Sequence, residues 1–416
     1  MNLPFVRTIN DPFNQYERLV RLLSKSKGVF SFCVASTETS DVEGISAAGA
    51  TAASRRLTPS IDADVLVFGH PRDGELIPVS PIGVVSPVVI ALSCLKLMKV
   101  EPLIIDCGTF RSPLKSNMTA GTLVAKSVST GRALPLANVR QLFEAGRRFA
   151  CEQLTGKPDY LVFSECVPGG TTTALAVLKS LGVEADSLVS SSLPAANGLR
   201  TKVVEKGFAA LKRYSDATSK DDDARNADDA ENANTNNTNN TNNTIFEEQD
   251  PLLALAAFGD PMQPFVAGAA LYAANHIPVI LGGGSQMVAV YHLCDRLSSF
   301  LNIPFNRENI FVITTKWISD DANSNTRRLS QLLGAPFFSA APDFRLSRFA
   351  GLQAYEEGHV KEGVGAGALM AAAALHGQLS REELMDAIDA CYEETVLGVA
   401  SKFGKSEMPF QYSVQT

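Results

Sequence analysis

The chain is 416 residues long, 45% hydrophobic and 19% charged, with a formal net charge of −7 at neutral pH. That composition specifies a large globular core in one main α/β domain, and the acidic balance without any dense Lys/Arg cluster argues against nucleic acid and membrane as partners. Seven scattered cysteines with no CxxC pair argue against a disulfide framework or a zinc ribbon and point to a reducing, cytoplasmic setting with buried thiols.

The opening stretch, MNLPFVRTINDPFNQYERLVRLL, contains acids and no continuous apolar run, so it does not read as a secretory signal. Its spacing predicts an amphipathic helix, which makes residues 1–28 an N-terminal helical segment. Apolar β-type runs follow at residues 29–34 (VFSFCV), 65–68 (VLVF), 103–105 (LII), 160–163 (YLVF), 278–281 (PVIL), 310–314 (IFVIT) and 336–338 (PFF), with helix-length segments between most of them. The alternation predicts an α/β fold: a largely parallel, doubly wound, Rossmann-like sheet over residues 29–375 with helices on both faces. A small helical part comes from the termini, the C-terminal share being residues 376–416. The longest uncharged stretch, around residues 79–95, carries two prolines and several serines and does not read as a membrane span.

Ligands in such sheets sit at the carboxyl ends of the strands. Polar or glycine-rich turns stand there: Ala35-Ser36-Thr37-Glu38, Asp106-Cys107-Gly108-Thr109, Ser164-Glu165 and Gly282-Gly283-Gly284-Ser285. At residues 160–183, YLVFSECVPGGTTTALAVLKSLGV, a strand runs into an acid, two glycines and three threonines before a helix over residues 174–181. Unpaired N–H groups at a helix N-terminus can cradle a phosphate, although an ordinary capped turn uses the same residue types.

From Ser215 to Asp250 the composition becomes KDDDARNADDAENANTNNTNNTNNT and further acids, which predicts a disordered surface insertion. Its Asn-Asn-Thr triplets match a glycosylation sequon but, without a secretory signal, read as low complexity. Asp320-Asp321 lacks the Thr/Gly-rich loop of a phosphoribosyl-pyrophosphate site and reads as a solvated turn. Glu362, in VKEGVGAG, precedes an apolar helix between glycines that permit close approach of a substrate, as a general base requires. The plainer alternative is that it complements a helix dipole, and Glu165 poses the same choice. Further on, Ser380 and Glu383 form a capping-box pattern. GVASKFGKS, from Gly398 to Ser406, has five residues between its glycines where a Walker loop has four. His70, His276, His292, His359 and His376 show no metal-binding spacing, so neither a metal nor another cofactor is expected.

Taken in order, these segments resemble the nicotinate-nucleotide:dimethylbenzimidazole phosphoribosyltransferase family, and more closely its divergent archaeal and cyanobacterial branch. Glu165-Cys-Val-Pro-Gly169-Gly170-Thr171-Thr172 resembles the family's strand-end motif at the nucleotide site. Lys361-Glu362-Gly363-Val364-Gly365-Ala366 resembles its Gly-Glu-Gly-Thr-Gly-Ala motif, and Gly44-Ile45-Ser46-Ala47 its Gly-Val-Ser-Ala segment. The resemblance implies catalytic roles for Glu362 as general base, Glu165 and Lys202. It implies nucleotide and phosphate contacts at Gly169, Gly170, Thr171, Thr172, Gly282, Gly283, Gly284, Gly363 and Gly365, and an acceptor-base pocket at Ser46 and Glu38. Its reaction moves the phosphoribosyl group of nicotinate mononucleotide to a benzimidazole-type base for the lower ligand of cobalamin, in a homodimer. Ser36-Thr37-Glu38-Thr39-Ser40 replaces the family's Asp-His-Gly, which keeps open a transferase for another base such as adenine, a nucleotide N-glycosidase, or a non-catalytic nucleotide-binding protein.

Overall fold

A computed structural model describes residues 5–190, 195–229 and 250–401. Eight strands form one sheet: β1 (Val6–Asn10), β2 (Gly28–Ala35), β3 (Leu103–Gly108), β4 (Met118–Thr119), β5 (Tyr160–Cys166), β6 (Val279–Gly282), β7 (Ile310–Thr315) and β8 (Phe337–Ala340). Their spatial order is β1-β8-β7-β6-β5-β2-β3-β4. Every pairing is parallel except that of β1 with β8.

Helices cover both faces because the central strands are apolar on both. Along β2, Cys33 and Ala35 enter one core while Phe30, Phe32 and Val34 enter the other. The first core packs the helices Leu136–Thr155, Gly170–Ser180, Pro251–Phe258, Met262–Ala273 and Ser285–Leu301. The second packs Tyr16–Lys25, Ala52–Phe68, Val88–Met98, Ala366–Gly377 and Arg381–Tyr392. In the first core, Leu136–Thr155 and Met262–Ala273 meet backbone to backbone: a Cβ on Gly146 would fall 1.9 Å from the Phe265 carbonyl oxygen, and one on Gly268 2.1 Å from that of Phe143. In the second, the Ser380 hydroxyl accepts from Glu383 N at 3.1 Å and Glu383 Oε2 from Ser380 N at 2.8 Å, the expected capping box. Six of the seven cysteines are buried and all seven are free thiols; Cys151 is exposed. No helix among the described residues is long and apolar enough to cross a membrane.

Three local expectations change. Residues 65–68 are no strand: they close the helix Ala52–Phe68, whose residues 58 to 66 are all buried. A short apolar run inside a core carries no period that separates strand from helix. The first 28 residues are not wholly helical, because β1 joins the sheet edge before the helix Tyr16–Lys25 begins. The low-complexity segment is helical at its start, since the helix Ala195–Asp229 runs into it. Extending a helix already packed at Val203 and Val204 costs far less than nucleating one. Residues 230–249, with the Asn/Thr triplets, and residues 402–416, with most of the Walker-like segment, lie outside the described residues.

Candidate active site

The chain leaves β2 toward β3 on one side and β5 toward β6 on the other, so the carboxyl ends of β2 and β5 flank the point where the strand order reverses. A cleft opens there, as it does in open α/β sheets generally. It is lined by residues 45–49 after β2, 165–171 from the end of β5 onward, 284–286 after β6 and 362–364 before the helix Ala366–Gly377.

Glu362 is held on four sides within this cleft. Its Oε2 accepts from Thr314 Oγ1 at 3.0 Å and Thr315 N at 2.8 Å, and its Oε1 from Gly363 N at 3.1 Å and Gly367 N at 3.3 Å. Burial raises its carboxyl to about 7 against the pull of those four donors. Glu165, 4% exposed, is raised well above the usual carboxylate range by burial and then by the nearby charge of Glu362, so the two acids do not ionise together at low cost. Val167 N donates to Glu165 Oε2 at 3.3 Å, and Gln286 supplies a further hydrogen bond. The loops carrying the two acids are tied by Val364 N donating to the Glu165 carbonyl at 2.8 Å.

That tie holds an unusual backbone. Val364, β-branched, has φ of 55° and Gly365 has φ of 67°. A left-handed non-glycine residue costs about 1–3 kcal/mol and persists where the surroundings impose it, commonly at ligand sites. At Gly365 a Cβ would also fall 2.1 Å from Ser164 Oγ.

Two helix N-termini face the acids across the cleft. Neither Gly170–Ser180 nor Ser285–Leu301 has a side-chain cap. At the first, Gly170 N donates to the Val167 carbonyl and Thr172 N to that of Gly169, which leaves Thr171 N as the donor for a ligand. At the second, Met287 N and Val288 N both turn to the Gly284 carbonyl, and Gly284, Ser285 and Gln286 line the cleft. Positive dipole ends beside carboxyls suit a ligand that carries an anion at one end and developing positive charge at the other. Behind the first turn, Thr173 Oγ1 donates to buried Asp260 at 2.5 Å, and burial raises that acid to about 6.

No protein-family model matches the chain. It is 38% identical over 389 residues to the UPF0284 protein glr4139 of Gloeobacter violaceus, covering 93% of each chain. It is 36% identical over 367 residues to the UPF0284 protein of Microcystis aeruginosa, covering 87% of this chain and 91% of that one. The chain belongs to the UPF0284 family. Among solved structures, CobT from Thermus thermophilus superposes with a TM-score of 0.53 at 16% identity, over 89% of this chain and 90% of that one. A nicotinate-nucleotide-dimethylbenzimidazole phosphoribosyltransferase from the same organism gives 0.51 at 16% identity, over 88% and 91%. This chain therefore shares the mostly parallel α/β fold of these proteins.

In this UPF0284 chain the cleft collects Glu165, Glu362, Gly169, Gly170, Thr171, Gly284, Gly363 and Ser46 from the expected set. Thr172 is buried behind the turn, and Gly282, Gly283 and Gly365 pack against neighbours without lining the cleft. Glu38 is exposed and accepts from Ser127 N at 3.4 Å, outside the cleft. Lys202 is likewise exposed and lines no part of it, because that face of the helix Ala195–Asp229 looks outward. The buried cations beside the UPF0284 cleft are others. Lys361 Nζ pairs with Asp321 at 2.6 Å, Arg200 lies near the same acid, and Ser190, which lines the cleft, donates to Asp321. Sequence reasoning missed Lys361, Arg200 and Asp62, although Lys361 stands next to the acid singled out. Asp321, expected in a solvated turn, is the buried partner of Lys361. Among the described residues no three His, Cys, Asp or Glu side chains are grouped to hold a metal ion. Lys202→Ala is expected to leave turnover and nucleotide binding within about twofold, as exposed substitutions do. A loss of tenfold or more in a steady-state assay would return Lys202 to the site.

Proposed function

We propose that the chain transfers the phosphoribosyl group of nicotinate mononucleotide to an aromatic nitrogen base, giving an α-riboside 5′-phosphate and nicotinate for the lower ligand of a cobalamin-type cofactor. The observation that carries the reading is Glu362: a carboxyl raised to about 7, fixed by four donors, and lining the same cleft as two uncapped helix N-termini. The fold likeness to the phosphoribosyltransferase of Thermus thermophilus supports it.

The chemistry follows from that inventory. The lone pair of an azole nitrogen attacks C1′ of the ribose, and the electrons of the C1′–N bond return to the pyridinium ring, which leaves as nicotinate without needing a proton. Glu362 takes the proton from the other azole nitrogen. Thr171 N and the Ser285 end of its helix hold the 5′-phosphate, while Glu165, kept protonated beside the ionised Glu362, supports the ribose with a hydrogen bond. Fixed dipoles need little reorganisation as the charge develops, and holding both reactants in line adds an entropic advantage. A homodimer and a cytoplasmic setting belong to the same reading.

Purified protein with nicotinate mononucleotide, alone and with a panel of azole bases, tests it by chromatography and mass. Nicotinate release that requires a base, with one riboside phosphate formed per nicotinate, is the expected result. Release without a base makes the protein an N-glycosidase, and nucleotide binding without release makes it a non-catalytic binder.

A further inference from the structure

The cleft holds a third buried acid that the transfer chemistry leaves unused. Asp62, on the helix Ala52–Phe68, is 1% exposed and lines the cleft with Ser46 and Thr58. Its Oδ2 accepts from Ser86 Oγ at 2.9 Å and from the Cys166 thiol at 3.5 Å. Its Oδ1 is buried without a hydrogen-bond partner. Nearby hydroxyls are committed elsewhere: Thr58 Oγ1 donates to the Ala48 carbonyl at 2.7 Å and Tyr355 to the Val85 carbonyl at 2.6 Å. Asp64, two residues further along the helix, shows the contrast, since Arg72 Nε pairs with it at 2.8 Å. Among the described residues no Lys, Arg or His forms such a pair with Asp62.

A buried carboxyl with one empty oxygen and no counter-charge is costly, and the cost is recovered when a ligand brings a donor. We propose that Asp62 determines which acceptor base is used, its Oδ1 taking a hydrogen bond from an amino or N–H group on the six-membered ring of a purine-type base. The inference rests on the transferase reading and adds the class of its second substrate. A base whose six-membered ring presents only C–H or methyl groups leaves Oδ1 unpaired. Ser86 and Cys166 fix the carboxyl plane from the Oδ2 side, so the donor must arrive from one direction. Glu362 is left free to take the azole proton at the other ring.

The test compares adenine, purine, benzimidazole and 5,6-dimethylbenzimidazole as acceptors for wild type, Asp62→Asn and Asp62→Val, with nicotinate mononucleotide binding followed by calorimetry. Wild type is expected to favour adenine over purine, which lacks the amino group, by about 10²-fold or more in kcat/KM. In Asp62→Val that ratio falls toward one and the benzimidazoles gain, while nucleotide binding stays unchanged. Equal use of adenine and purine by wild type overturns the proposal, as does a preference that survives Asp62→Val. If Asp62→Val does not fold, the wild-type ratio and its loss in Asp62→Asn decide. If no base is turned over, calorimetry of adenine against purine on wild type in the presence of the nucleotide decides the Asp62 contact by itself. Absence of nucleotide binding sinks the transferase reading instead, and adenine-selective binding would then still uphold the contact.

Discussion

Glu362→Gln is expected to lower turnover by about 10²- to 10⁴-fold, the usual range for losing a positioned general base. Binding of nicotinate mononucleotide is expected to persist, because the donors proposed for its phosphate are backbone N–H groups on other loops. The pH dependence carries the sign. The base works ionised and its carboxyl is raised to about 7, so wild-type kcat/KM climbs with pH up to that value and then levels. In the variant the climb disappears. Stability moves the other way: the folded state holds this proton more tightly than the unfolded chain does. The contribution is therefore full below the ordinary carboxylate range and lost as pH rises through about 7, and Glu362→Gln flattens that loss. The amide has a structural cost of its own. Whichever way it turns, its NH₂ meets backbone N–H donors, Thr315 on one side or Gly363 and Gly367 on the other, for about 1–3 kcal/mol. Glu362→Asp keeps the charge and is the companion variant. A Gln variant that is folded and turns over at the wild-type rate removes Glu362 as the base.

Gly146→Ala is expected to cost about 3 kcal/mol of folding stability, the upper part of the range for overpacking a core. Its new methyl would stand 1.9 Å from the Phe265 carbonyl oxygen, so the helices Leu136–Thr155 and Met262–Ala273 must separate or one must bend. Backbone cannot rotate away as a flexible side chain can. Gly268→Ala meets the Phe143 carbonyl from the opposite direction, and the double variant should cost less than the two singles added, since one separation relieves both contacts. Gly198→Ala, near the start of the helix Ala195–Asp229 with nothing within 4 Å of its Cβ position, is the control and should be neutral or stabilising. Urea midpoints of the four variants and the wild type measure this, and a Gly146→Ala midpoint equal to wild type would contradict the close approach.

The central sheet was legible because β2, β5, β6 and β7 are short apolar runs followed by turn residues. Glu165 and Glu362 were legible because each stands at such a turn beside glycines. Asp62 was hidden by a local error: with residues 65–68 read as a strand, the helix that carries it inward did not exist. Lys202 was chosen by its place in an ordered series of motifs, but a helix presents a given residue to the cleft or to solvent according to its rotation, which packing partners set. Lys361 and Asp321 were hidden because their pairing joins positions 40 residues apart in sequence across two loops, and no local pattern records that. β1 was read as helix because the helical spacing of residues 16–25 was extended backward over a segment whose partner lies at the far end of the domain.

That partner gives β1 a consequence for biosynthesis. Arg7 faces Ser339 across the β1–β8 pair, 332 residues later in the chain. At roughly 5–20 residues per second, the first strand leaves the ribosome roughly 20–70 s before the edge it must join has been made. Until then the nascent protein carries β1 as an unpaired strand, open to pairing with another chain. The last step of building the sheet is thus its closure at β8 by a strand synthesised long before it.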